Sequence, residues 1–201
     1  MSTEILVNIA QNETRVALVE GGAAQEVYLQ RASRHGLVGN IYKGIVKRVL
    51  PGMQAAFVEI GLERTAFLHA ADMQRPANGN ELADTGPVVS FDVPPIDQLL
   101  SEGQDVLVQV LKDPLGTKGA RLTTLLSIPS RYLVLLPYDR HVGVSARIED
   151  EAERNRLKAL VAPLVRERAP DYGVIVRTAG EGADAAALAA DIDFLLRLWD
   201  T

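Results

Sequence analysis

At 201 residues, with 47% apolar side chains and a net charge of −5, the chain can bury one medium core or two small ones. It has no cysteine and three scattered histidines, which excludes a disulfide framework and a cysteine-ligated zinc site and fits a reducing compartment. The first residues, MSTEILVNIAQNE, lack the basic start and apolar core of a signal peptide, and no apolar run approaches the roughly 18 residues of a membrane span, so a cytoplasmic protein without a membrane partner is expected.

Residues 4–31 read as a three-stranded meander, EILVNIA, TRVALVE and AAQEVYLQR, with turns at Gln11-Asn12 and Gly21-Gly22. So short a sheet needs something to pack on. Gly36 and Gly39 introduce the strand NIYKGIVKRVL, and MQAAFVEIGLERTAFL follows as two strands around Gly61. Residues 74–95 hold four prolines and little pattern, which reads as a long surface excursion. PPIDQLLSEGQ holds one helical turn, and DVLVQVL and KGARLTTLL are two more strands around KDPLGTKG. RYLVLLP is then a buried strand. ARIEDEAERNRLKALVAPLVRERAP is a helix striped by Leu157, Leu160, Val161 and Leu164, which Pro163 should kink or break. YGVIVRT is a strand, and DAAALAADIDFLLRLWDT is a helix striped by Leu188, Ile192, Leu195 and Trp199. That last helix stops without a C-cap signal, so a longer parent protein is expected.

The net charge hides a partition along the chain. Between Val27 and Val58 there is no acidic residue, but there are Arg31, Arg34, Lys43, Lys47 and Arg48. From Leu111 to Ile148, six basic residues including Lys112, Lys118, Arg121 and Arg147 face only Asp113 and Asp139. Between Pro76 and Asp105 the balance reverses. A fold that joins the two basic tracts presents a local positive face on an acidic protein.

Within MQAAFVEIGLERTAFL, alternation puts Ala56, Val58, Ile60, Ala66 and Leu68 on one face and Phe57 and Phe67 on the other, polar face. Five short strands with a helical turn before the fourth fit an OB-type barrel, a fold that often binds oligonucleotides. Outward aromatics on neighbouring strands supply stacking platforms for bases, and Lys112 and Lys118, flanking the loop between strands four and five, supply charge for phosphates. The other reading buries both rings under the acidic excursion or against another domain.

VIVRTAG places Arg177 and Thr178 at a strand end before a glycine loop, where a guanidinium fork, a hydroxyl and backbone N–H groups can converge on an anion. Thr178 and Glu181 also have the spacing of a capping box that would begin the last helix. Both readings stay open on these residues alone.

GNIYKGIVKRVLPGMQAAFVEIGLERTAFLHAADM resembles the S1-type RNA-binding domain of the ribonuclease E/G family, and LKDPLGTKGARLTT is nearest the G-type branch of that family. The resemblance runs from the meander through RYLVLLP to VIVRTAG. It implies an α+β chain: residues 1–38 a partial RNase H-like meander, 39–125 an S1-type five-stranded OB barrel, and 126–201 an α/β 5′-sensor region. It also implies that Phe57, Phe67 and Lys118 contact RNA. Arg177 and Thr178 would hold a 5′-monophosphate, with Val134 and the backbone near Ser130 as the remaining wall. Ser130 stands where ribonuclease E has glycine, and where ribonuclease E has two basic residues Arg147 keeps one and Ala146 replaces the other.

Such proteins cleave single-stranded RNA, in rRNA processing and mRNA decay, with a carboxylate-held Mg²⁺ and join subunits through a cysteine-ligated Zn²⁺. Both metals belong to parts that follow residue 201 in the family's order, so this chain is expected to carry no catalytic or metal-binding residue. The expectation is the RNA-binding, 5′-monophosphate-sensing N-terminal part of an oligomeric, G-type endoribonuclease, inactive by itself. Its alternatives are a self-contained single-stranded RNA-binding module and a protein-interaction domain.

Overall fold

The N-terminal meander forms from strands β1 (Thr3–Ile9), β2 (Glu13–Glu20) and β3 (Ala23–Arg31), paired antiparallel in that order. The computed structural model describes residues 2–31, 36–73 and 94–201. Arg34 and most of the acidic excursion lie outside those residues. By contacts the chain divides into two units, Met1–Leu37 and Val38–Thr201.

The second unit begins with a barrel. Strands β4 (Ile41–Leu50), β5 (Ala55–Glu59), β6 (Ala66–His69), β7 (Asp105–Lys112) and β8 (Arg121–Thr123) close in the order β4-β5-β6-β8-β7. One turn of helix, α1 (Ile96–Leu99), precedes β7. Closure follows from the alternation, since every inward position must be apolar for a small barrel to fill itself. Ala55, Ala56, Val58, Ala66, Leu68, Val108 and Leu122 are each fully buried. The fifth strand is shorter than KGARLTTLL promised, because Gly119 and Ala120 are spent on the entry to it. A Cβ at Gly119 would stand 2.0 Å from the Thr65 carbonyl oxygen.

The following region is a four-stranded sheet ordered β11-β12-β10-β9, from β9 (Ile128–Pro129), β10 (Leu133–Leu136), β11 (Val142–Val144) and β12 (Gly173–Val176). Helices α2 (Glu151–Arg168) and α3 (Ala185–Asp200) complete it. β11 and β12 are parallel, which requires a crossover, and α2 is that crossover. Leu133, Leu135, Val174 and Val176 form one core with Leu157, Val161 and Val165 of α2 and Leu188, Ile192 and Leu195 of α3.

Three expectations are corrected here. The stripe of α2 is turned, so that Val165 is buried while Leu160 and Leu164 only flank the core. Pro163 lies inside α2, which runs on to Arg168, so the helix is not broken there. Pro163 and Ala159 are both on the exposed face, so water can satisfy the Ala159 carbonyl that proline leaves without a donor. The two-residue β9 and three-residue β11 are additional strands.

The barrel and the sheet are joined by a buried polar contact. Gln109 of β7, 5% exposed, donates through Nε2 to the carbonyls of Gly39 and Ser127, and its Oε1 accepts from the Ser127 N–H, each at 2.9 Å. Burying that amide is tolerated because both of its ends are satisfied.

Candidate RNA-binding site

Phe57 of β5 and Phe67 of β6 are direct cross-strand partners, so their rings share one face of the barrel wall. Their centroids are 6.2 Å apart at an interplanar angle of 68°, and His69, two residues along β6, extends the group at 6.3 Å from Phe67. The rings are half-buried, because they pack edge-to-face on each other while their backs cover the wall. The neighbours Ala56, Val58, Ala66 and Leu68 point into the core.

Register extends this pair into a row. Arg48 of β4 stands opposite Phe57, Arg121 of β8 opposite Phe67, and Lys112 of β7 opposite Arg121. The row therefore reads Arg48, Phe57, Phe67, Arg121, Lys112 across all five strands, with cations on both sides of the aromatic pair. Bulges between Val46 and Arg48 and between Val110 and Lys112 set the places of Arg48 and Lys112 in this row, while Arg121 reaches it through the parallel pairing of β6 and β8.

Lys118 lies on the loop between β7 and β8, where Leu115 and Lys118 exchange backbone hydrogen bonds of 3.1 and 3.0 Å. The Arg64 guanidinium donates to the Gly116 carbonyl, and Gly119 lies against Thr65, so the lysine is carried on a pinned loop. Other barrel cations are neutralised: Lys43 by Asp105 at 2.8 Å, Lys47 by Glu59 at 2.5 Å and Arg121 by Asp72 at 2.8 Å. Hydrogen bonds to Asp105 and Asp72 hold the Lys43 and Arg121 pKa values above their ordinary range. Among the described residues, Arg48, Lys112 and Lys118 have no ion-pair partner, which leaves their charge available to an anionic ligand.

A second cluster forms at the end of β12. The Arg177 N–H donates to the Tyr132 carbonyl at 2.7 Å, and its guanidinium donates to the Ser130 carbonyl. The period of β12 puts Arg177 on the same sheet face as Ile175, and Ile175 is paired with Val134. Arg177, Ser130 and Val134 thus converge. The hydroxyl of Ser130 is drawn the other way, donating to Asp191 at 2.5 Å, and Asp191 also accepts from the N–H groups of Tyr132 and Leu133 at 2.9 and 3.0 Å. Asp191 thus ties Ser130 to the start of β10, a link with no local signal in the sequence.

Thr178 opens a short 3-10 turn, Thr178–Gly180. It does not cap the last helix. Asp184 does, accepting from the Ala187 N–H at 2.8 Å, so the capping-box reading of Thr178 and Glu181 is overturned. Arg147 is exposed, its N–H donating to the Ser145 hydroxyl at 3.3 Å.

No three His, Asp or Glu side chains converge as a metal-binding group among the described residues, and the chain has no cysteine. The residues described do not fit either a carboxylate-held Mg²⁺ or a thiolate-held Zn²⁺. No helix among them is long and apolar enough to cross a membrane.

A β-barrel bearing interleaved aromatics and cations, followed by an α/β region with an Arg-Thr cluster, defines an RNA-binding class of protein. Comparison with known families gives the same result: residues 37–124 match the S1 RNA binding domain, and residues 127–201 match the Ribonuclease E/G family. The chain carries an S1 domain joined to a ribonuclease E/G family domain. It is similar to ribonuclease G of Haemophilus influenzae, 56% identical over 98% of this chain and 39% of the relative. It is similar too to ribonuclease G of Escherichia coli K12, 54% identical over 99% of this chain and 40% of the relative. Ribonuclease E of Nostoc is 41% identical over 96% of the chain and 26% of the relative. The chain spans about 40% of the length of the ribonuclease G relatives it matches.

Proposed function

We propose that this chain is the RNA-binding and 5′-monophosphate-sensing N-terminal part of a cytoplasmic, single-strand-specific endoribonuclease of the ribonuclease G type, acting in rRNA processing and mRNA decay. The observation that carries the reading is the row Arg48, Phe57, Phe67, Arg121, Lys112 on the barrel. Bases of any identity stack on the aromatic pair, while Arg48, Lys112 and Lys118 neutralise the phosphates on either side. A duplex cannot present its bases to such a surface, so a single strand is the substrate. At the sheet, Arg177 supplies a charged fork and Thr178 a hydroxyl for the terminal phosphate, with Val134 and Ser130 forming the wall beside them. Hydrolysis, a catalytic Mg²⁺ and a zinc-linked oligomer belong to the remaining part of the full-length enzyme, and residues 1–201 alone cleave nothing.

The test is the affinity of Phe57→Ala and Phe67→Ala for an unstructured RNA, with melting temperature measured alongside. Each variant should bind more weakly by roughly 1–3 kcal/mol and keep its fold, because the removed ring is only half-buried. Unchanged affinity with a large loss of stability would return both residues to the core.

A further inference from the structure

The loop between β12 and α3 is gripped from the side by α2. Glu153 and Arg156, one turn apart on α2, form a two-pronged pair with Nε–Oε2 at 2.6 Å and Nη2–Oε1 at 2.7 Å. The same carboxylate accepts the Gly182 N–H at 2.8 Å, and the same guanidinium donates to the Ala183 carbonyl at 3.0 Å. Glu153, Arg156 and the Gly182-Ala183 backbone thus close a ring of hydrogen bonds between helix and loop. The loop suits this grip. Gly182 has φ +75°, which a side chain would resist, and the loop's own backbone bonds run only from Gly180 to Arg177, Glu181 to Thr178 and Ala183 to Gly180.

We propose that Glu153 and Arg156 are positioning residues for the 5′-phosphate site, fixing Thr178 by latching the loop that Thr178 begins; this rests on the 5′-sensing reading above. Arg177 does not need the latch. Its backbone is tied to Tyr132 and its side chain to Ser130, both on the sheet side. Among the described residues Thr178 has no such anchor, and it takes its position from the turn it opens. Losing the latch should therefore act on the contribution of Thr178 and spare that of Arg177. It should also spare RNA held on the barrel, which lies on other strands.

The experiment measures the affinities of a 5′-monophosphorylated oligonucleotide and its 5′-hydroxyl twin for the 201-residue chain and a set of variants. Glu153→Ala should lower the 5′-phosphate preference about fivefold, as expected for a partly exposed charged hydrogen bond. Affinity for the hydroxyl twin should be unchanged. Glu153→Gln, which keeps an acceptor for Gly182, should retain more of the preference. In a double-mutant cycle, adding Thr178→Val to Glu153→Ala should cost little further, whereas adding Arg177→Lys should cost its full separate amount. A merely structural pair would lower melting temperature without this selective coupling. A preference that Arg177→Ala abolishes but Glu153→Ala leaves intact would overturn this proposal alone. A wild-type chain without any preference would overturn both it and the sensing reading.

Discussion

The N-terminal meander and the barrel are both built from short, mostly antiparallel strands, yet they solve the same problem in opposite ways. In the barrel, inward positions are apolar and the sheet closes on itself, so Val58, Leu68, Val108 and Leu122 have no exposure at all. In the meander, register puts Ile5, Val7, Ile9, Val16, Leu18 and Tyr28 on one face and Leu6, Ala17, Val19, Val27 and Leu29 on the other. Ile5, Leu6, Val7, Ile9, Val27, Tyr28 and Leu29 are all more than half exposed. A three-stranded sheet with two apolar faces has no means of burying either by itself. A strand pattern alone therefore does not make a core; closure, or cover on both faces, does.

Two sets of substitutions should act on these regions differently. Leu68→Ala should cost the barrel about 2–5 kcal/mol, the range for deleting a fully buried leucine side chain. Val7→Ser and Leu29→Ser in the meander should leave thermal melting of the barrel unchanged and reduce binding of an apolar dye. A barrel that melts earlier with the meander variants would show that the two depend on each other. A smaller effect sharpens the contrast between structural and ligand-facing positions on the barrel. Lys118→Ala should weaken binding to all single-stranded sequences alike and reduce the salt slope by about one, which a salt titration of RNA affinity would reveal.

The smallest effect concerns α2. Hydrogen bonds from Arg156 and from the Gly182 N–H hold the Glu153 pKa down from 4.5 to about 2. A lowered carboxylate pKa means that the latch is fully formed above pH 4.5 and is lost as pH falls through about 2. Following the Glu153 carboxylate by NMR should give that low midpoint in the wild type and a higher one in Arg156→Ala. An unmoved midpoint would show that Arg156 is not the partner that sets it.

Much of the barrel was legible because a period of two reports directly on which side chains meet inside a closed wall. Ala56, Val58, Ala66 and Leu68 were placed inward, and Phe57 and Phe67 outward, by that alone. Arg48 was not, because its place opposite Phe57 depends on a bulge that shifts register, and a bulge leaves no mark in a run such as IVKRVL; Arg121 was not, because its place opposite Phe67 depends on a pairing between β6 and β8 that no local pattern reports. At the sheet, a strand ending before glycine left two readings of Arg177 and Thr178 open, and the structure removes only the helix-capping one. Asp191 and Glu153 act across 59 and 29 residues of sequence, beyond the reach of any local pattern. Thr178 and Glu181 carried a capping signal that competed with the true one at Asp184, which directly precedes the alanine run of α3. Pro163 does not break α2, because its cost depends on whether the orphaned carbonyl meets water, and the sequence does not state which face of α2 is wet.

In the proposed function the body of an RNA strand lies on the barrel and its 5′ end at the β12 terminus. The most direct measurement crosses Phe57→Ala and Arg177→Ala against matched 5′-monophosphate and 5′-hydroxyl oligonucleotides. Phe57→Ala should weaken both RNAs by the same factor, while Arg177→Ala should remove an advantage of about tenfold from the phosphorylated RNA, the scale of one charged hydrogen bond, and leave the other unaffected. Equal losses for both RNAs in Arg177→Ala, or a phosphate preference that survives it, would contradict the assignment.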